Sequence, residues 1–210
     1  VPEKTDTGTD HGCNKNGKLI EIGYVHYIQV VGKKEVTAGI CEYADPFGLY
    51  RCLSSLGLGK EDGVDLAIVI HGRFDRFDFH KAEALQETSE IISKFPSEHV
   101  ELVAANTPTR PAILSEVDCR NLYMQTAADR GCDWLLVIDT DEFIARNADW
   151  HKFREQLQFI MSLDLPHQIF DVQFEGISAI DRGPRPRLFY RPATIKYWKR
   201  HFWWVLEEQM

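Results

Sequence analysis

The run Gly131-Cys132-Asp133-Trp134-Leu135-Leu136-Val137-Ile138-Asp139-Thr140-Asp141-Glu142-Phe143 decides how this chain folds. Residues 134–138 are all apolar, too short a run for a typical helix and without polar alternation, so they read as a strand covered on both faces. Strands of that kind belong to parallel sheets with helices on either side. The strand runs straight into carboxylates at Asp139, Asp141 and Glu142. Open α/β sheets take their ligands at the carboxyl ends of the strands. Side chains alternate along a strand, so positions 139 and 141 point the same way and a pair of hard oxygen donors converges on one spot. Carboxylates crowded together in this way favour a nearby cation. Mn2+ or Mg2+ suits the pair, because such ions take one or two carboxylates and fill their remaining positions with water and phosphate oxygens. A substrate carrying a diphosphate follows from that chemistry.

Working outward, strand-length apolar runs alternate with stretches of helical period. Upstream, residues 36–41 read as a first strand, followed by a helix that starts at Pro46. Residues 65–70 form a second strand, ended by His71-Gly72, with a helix near 82–95. A third strand is expected at 100–104, then a helix over 118–130 with Leu122, Tyr123, Thr126 and Ala127 on one face. Downstream come a helix around 150–163, a strand around 169–174 and an end rich in arginine and aromatic residues. The fold class is α/β, one domain with a mixed, centrally parallel sheet. Residues 1–18 are polar and rich in Gly, Asp, Thr and Asn, which predicts a flexible arm ahead of a domain spanning 19–210. Apolar residues between Ile20 and Val30 predict a peripheral strand or hairpin.

With 210 residues the chain suits one substantial core. Lys+Arg 24 against Asp+Glu 32 gives a net charge of −8, which argues against a nucleic-acid coat. The five cysteines, Cys13, Cys41, Cys52, Cys119 and Cys132, are odd in number and contain no CxxC pair, so a reducing, cytoplasmic setting is expected. No run approaches the roughly 18 apolar residues of a membrane span. Domains beyond residue 210 are compatible with the aromatic end.

The central run resembles the DxD-bearing strand of GT-A fold glycosyltransferases, most closely the family-two type. Thr37-Ala38-Gly39-Ile40-Cys41-Glu42 resembles that family's first strand, Tyr50-Arg51-Cys52-Leu53-Ser54-Ser55-Leu56 its first helix, and Arg120-Asn121 the pair opening the helix before the DxD strand. Pro186-Arg187-Leu188-Phe189 and residues 197–201 resemble the stretch that ends in a metal-binding histidine. The similarity covers residues 33–204. It implies a GT-A (nucleotide-diphospho-sugar transferase) Rossmann-like domain that moves a sugar from a nucleotide donor, UDP-sugar ahead of GDP- or dTDP-sugar, to a glycan, a protein-linked sugar or another hydroxyl acceptor. It further implies Asp139, Asp141 and His201 as ligands to Mn2+ or Mg2+. Donor contacts would fall on the first strand's end, Cys41, Glu42 and Tyr43, and on Arg120, Asp139 and Arg187. His71 would be a further donor contact, standing where the family often has an acidic residue that meets the nucleoside, so this chain departs there in residue type.

A metal can stabilise the departing diphosphate without proton transfer. Inversion at the anomeric carbon would further require a general base, for which Asp171, Glu175 and Asp181 are available. Residues 182–204 mix basic and aromatic side chains, and rings stack on sugars while arginine grips diphosphates. Other readings are a nucleotide-sugar-binding module without turnover, and a DxD phosphatase. The phosphatase expects Thr or Val where Phe143 stands, with its motif near the start of the chain.

Overall fold

A computed structural model of the chain describes residues 11–13, 19–21, 35–73, 81–105, 115–163, 168–171, 186–199 and 202–205. It divides into two units, Val1–Lys33 and Lys34–Met210. In the first, β1 (His11–Cys13) pairs antiparallel with β2 (Leu19–Glu21), His11 opposite Glu21. β1 therefore lies within the stretch read as a flexible arm, and the division falls some fifteen residues later than the expected boundary at 18.

The second unit is built on a six-stranded sheet of order β5-β4-β3-β6-β8-β7. Its strands are β3 (Val36–Glu42), β4 (Leu66–His71), β5 (Val100–Ala104), β6 (Trp134–Val137), β7 (Gln168–Asp171) and β8 (Pro186–Tyr190). β3, β4, β5 and β6 run parallel, and β8 lies antiparallel between β6 and β7. This is the mixed, centrally parallel α/β sheet that the alternation of apolar runs predicts. β8 went unforeseen as a strand because Pro186 and Arg187 open it and mask its apolar remainder. A separate antiparallel pair, β9 (Ile195–Lys199) and β10 (Phe202–Val205), closes the described chain.

Period-two alternation sorts the central strands between two cores. Val36, Ala38 and Ile40 of β3, with Trp134, Leu136 and Ile138 in and beyond β6, pack with Leu49, Cys52 and Leu53 of α1 (Pro46–Ser55) and Leu157 of α4 (Trp150–Ser162). Leu135 and Val137 face the other way, toward Cys119, Tyr123, Met124 and Ala127 of α3 (Glu116–Asp129). A β-carbon on Gly39 of β3 would lie 2.8 Å from the Tyr123 ring, so the absent side chain lets α3 seat directly on the strand. α2 (Ala84–Ile92) follows β4.

Helix starts follow local chemistry. Asp45 caps α1, accepting from the Gly48 N–H at 2.9 Å, with Pro46 supplying the preset first turn. Ser115 and Asp118 form a capping box that starts α3 two residues ahead of the expected 118. Asp149 caps α4 through the Lys152 N–H at 2.9 Å.

The chain runs from β3 outward through β4 to β5, then crosses back to place β6 on the other side of β3. The topological switch point thus lies between β3 and β6, where an open α/β sheet has its ligand crevice.

Candidate functional site at the carboxyl ends of the central strands

Two groups of polar side chains stand at these strand ends. The first follows β6. The strand stops at Val137, and residues 139–142 form a turn closed by the Glu142 N–H donating to the Asp139 carbonyl at 2.9 Å. Alternation along a strand therefore does not reach positions 139 and 141, and the two aspartates have different surroundings. The Asp139 carboxylate accepts from Arg120 Nη2 at 3.1 Å and from Arg187 Nη2 at 3.0 Å. Both arginines are buried, Arg120 on α3 and Arg187 on β8. Glu142 turns back, accepting from the Asp139 N–H at 2.9 Å and from Arg187 Nη2 at 2.6 Å. Asp141 points outward, is exposed, and has no hydrogen bond or ion pair among the described residues.

Arg120 is held on every side. Glu116, one turn earlier on α3, accepts from its Nε at 3.1 Å and its Nη2 at 2.9 Å, and the Tyr123 hydroxyl accepts from Nη1 at 3.1 Å. Burial works against the Arg120 charge, but Tyr123 and Asp139 outweigh it, so the guanidinium is raised and stays protonated. Burial, then the neighbouring Asp139 charge, pushes the Glu142 carboxyl from 4.5 up to about 7, against the pull of Arg187. The adjacent Asn121 does other work: its amide donates to the Tyr197 carbonyl at 2.9 Å and accepts from the Tyr197 N–H at 2.8 Å, imitating a neighbouring strand for β9.

The second group links β3 and β4, which are in register at Glu42 and His71. Glu42 is buried; its Oε2 lies 2.6 Å from His71 Nδ1 and accepts from the Thr88 hydroxyl of α2 at 2.7 Å, while Oε1 accepts from the Asp45 N–H at 3.0 Å. Glu42 thereby ties the α1 cap to β4 and α2. The Tyr43 ring sits 5.8 Å from that of His71, and its hydroxyl accepts from the Lys81 N–H at 3.0 Å. Cys41, by contrast, faces the α3 core beside Cys119, and burial raises its thiol well above the ordinary range. The described cysteines, Cys41, Cys52, Cys119 and Cys132, are all free thiols.

The two groups meet through α1. A β-carbon on Gly48 would come within 2.8 Å of the Thr140 carbonyl, so the helix start lies against the acidic turn. Ser55 at the other end of α1 accepts from the Ile144 N–H at 3.0 Å and secures the turn's exit.

The structure thus gathers Asp139, Arg120 and Arg187 at one strand end, and Glu42, Tyr43 and His71 at the neighbouring ends. Cys41 is buried on the α3 side of β3, within electrostatic reach of Arg120 and Asp139. Sequence reasoning had set Glu142 beside the aspartates but missed its bond to Arg187, and it missed Thr88 altogether. The available signal for Thr88 was a polar residue on the inner face of a helix that packs against strand ends. His201, Glu175 and Asp181 lie outside the described residues, as does the side chain of Asp171, whose backbone ends β7. Among the described residues no cluster of three or more His, Cys, Asp and Glu side chains suited to a metal ion is present, and no helix is long and apolar enough to cross a membrane.

No protein-family model and no curated protein matches the chain. Among solved structures it is similar to TarS 1-349 of S. aureus, with a TM-score of 0.49 at 14% identity over 76% of this chain and 48% of that one. The same TarS fragment in complex with UDP-GlcNAc gives a TM-score of 0.49 at 14% identity, over 76% of this chain and 46% of that one. A cytidylyltransferase from Leptospira borgpetersenii serovar Hardjo-bovis gives 0.41 at 11% identity, over 77% of this chain and 61% of that one. The chain spans about half the length of the TarS fragment.

Proposed function

We propose that this chain is the donor-binding domain of a glycosyltransferase that uses a nucleotide-diphosphate sugar, with UDP-sugar the preferred donor. The observation that carries the proposal is the acidic turn at the switch point between β3 and β6, in which one aspartate is clamped and the other is open. Asp139, fixed by Arg120 and Arg187, is oriented to accept hydrogen bonds from the ribose of the donor. The paired guanidiniums leave Asp139 a poor cation ligand. The exposed Asp141 fits one instead, since Mn2+ or Mg2+ needs a single carboxylate when phosphate oxygens and water complete its shell. A cation held there would neutralise charge developing on the departing diphosphate. His201 is proposed as a further ligand from the resemblance alone. Glu42, His71 and Tyr43 line the nucleoside side, with the His71 ring oriented by Glu42 and Thr88. Should the transfer invert configuration, the base would come from Asp171, Glu175 or Asp181.

The test is a thermal-shift titration with Mn2+ and UDP, GDP or dTDP on the unaltered chain and on Asp141→Asn. A ligand that binds only the folded state raises the melting temperature in proportion to RT ln(1 + [L]/Kd). Mn2+ with UDP should stabilise most, and Asp141→Asn should lose most of that shift while melting no lower than the unaltered chain without metal. A larger shift with GDP would reverse the donor preference. No shift with any nucleotide would remove the transferase reading.

A further inference from the structure

The outer face of α1 carries a feature that neither the fold nor donor binding requires. Phe47, Tyr50 and Arg51 stand at spacings that share one helix face, and the two rings are 69% and 43% exposed. Phe143, the residue after Glu142, is 53% exposed and stacks on Arg51, whose guanidinium carbon is 4.6 Å from that ring and 5.8 Å from the Phe47 ring. Farther along, Lys94 Nζ is 5.4 Å from the Tyr50 ring, which also lies 5.9 Å from Phe95. The strip starts at the acidic turn, because Phe143 leaves that turn directly and α1 abuts Thr140.

Cations seated on ring faces separate this strip from an ordinary solvated surface. The chain has an acidic excess of eight, yet neither Arg51 nor Lys94 forms an ion pair or a side-chain hydrogen bond among the described residues. Lys60, Arg146, Lys152 and Lys196 likewise form none among the described residues, but unlike those four Arg51 and Lys94 lie over aromatic rings. The cations on the strip are held only over ring faces, with their N–H groups open to an incoming anion.

We propose that this strip is the acceptor track of the site and takes a saccharide chain bearing phosphate or carboxylate groups. Aromatic rings offer flat apolar faces to the C–H faces of sugars, and the intervening cations take the sparse anionic substituents. Nucleic acid fits the strip poorly: a polymer with a charge at every residue calls for a dense row of cations, and here only two stand among the rings. The acceptor role rests on the transferase reading, but binding to the strip does not require it.

The experiment measures binding by calorimetry, without nucleotide or metal, to three probes: a galacturonate oligosaccharide, a phosphorylated mannan oligosaccharide and a neutral cello-oligosaccharide. Arg51→Gln, Phe47→Ala and Phe143→Ala are compared with Phe159→Ala, an exposed ring on α4 that is 66% accessible. The anionic probes should bind at least about tenfold more tightly than the neutral one, and each strip variant should weaken that binding about tenfold, a loss of about 1.4 kcal/mol. Phe159→Ala should bind as the unaltered chain does. Comparing the galacturonate and phosphomannan arms identifies the preferred anion. The thermal shift with UDP and Mn2+ should persist in the strip variants, and loss of that shift in the unaltered chain would count against the transferase reading alone. The strip proposal is overturned by equal binding of neutral and anionic probes, by strip variants that bind normally, by absence of binding to either anionic probe, or by tighter binding of a thymidine oligonucleotide.

Discussion

Replacing Glu142 with Gln removes one charge from the acidic turn while keeping the shape of the side chain and a carbonyl oxygen that can accept from Arg187 or from the Asp139 N–H. In the folded protein burial and the Asp139 charge lift the Glu142 carboxyl from 4.5 to about 7. Between those pH values the folded state holds a proton that the unfolded chain has released. The resulting stability is fully present below pH 4.5 and is lost as pH rises through 7. At about 1.4 kcal/mol per pH unit, the interval corresponds to about 3 kcal/mol. The side chain is 12% exposed, so solvent screening reduces this little. Glu142→Gln cannot titrate. Its stability should match that of the unaltered chain near pH 4.5 and exceed it by up to about 3 kcal/mol at pH 8. Urea unfolding in chelator, at half-unit steps from pH 4.5 to 8, measures both curves; titrations shared by the two proteins cancel in their difference. Curves that stay parallel across the range would refute the reasoning, because they would mean that Glu142 ionises in the fold as it does in water.

Two further substitutions probe the neighbouring groups. Asp139→Asn removes the carboxylate shared by the buried Arg120 and Arg187; leaving buried charges short of a partner should cost about 3 kcal/mol, read as a lower urea midpoint with an unchanged slope. Thr88→Val keeps the volume but deletes the hydroxyl that donates to Glu42 at 2.7 Å, which should cost about 1–3 kcal/mol and weaken UDP binding, because Glu42 also anchors the α1 cap.

What the sequence reveals here follows the range of the forces involved. The strands at 36, 66 and 134 were legible because each is buried on both faces and so writes a nearly continuous apolar run into the chain; the half-buried β5, interrupted by Glu101, was legible from Leu102, Val103 and Ala104. Helix starts were legible to within a few residues, because caps such as Asp45 and Ser115 are local. β8 was not legible as a strand: it opens with Pro186 and Arg187, and what makes it a strand is pairing with β6, some fifty residues earlier. In the site, the acidic turn could be located but not its wiring. Alternation suggested matching orientations for Asp139 and Asp141, whereas the strand stops at Val137 and the arginines on α3 and β8 claim only Asp139. Arg187 and Asp139 are 48 residues apart, a separation at which no local pattern can announce a contact.

The late position of β8 also bears on the order in which the molecule can be put together. Until Pro186–Tyr190 arrives, β6 is the border of a growing sheet, and Trp134, Leu135 and Leu136 present open backbone groups to any other chain nearby. The same arrival delivers Arg187, which joins Arg120 on Asp139 and pairs Glu142, so that closing the border and completing the charge balance of the acidic turn happen in one event. A nascent or truncated chain that ends before residue 186 therefore carries a self-association hazard and, at the same place, a Glu142 without its arginine beside an Asp139 held by Arg120 alone.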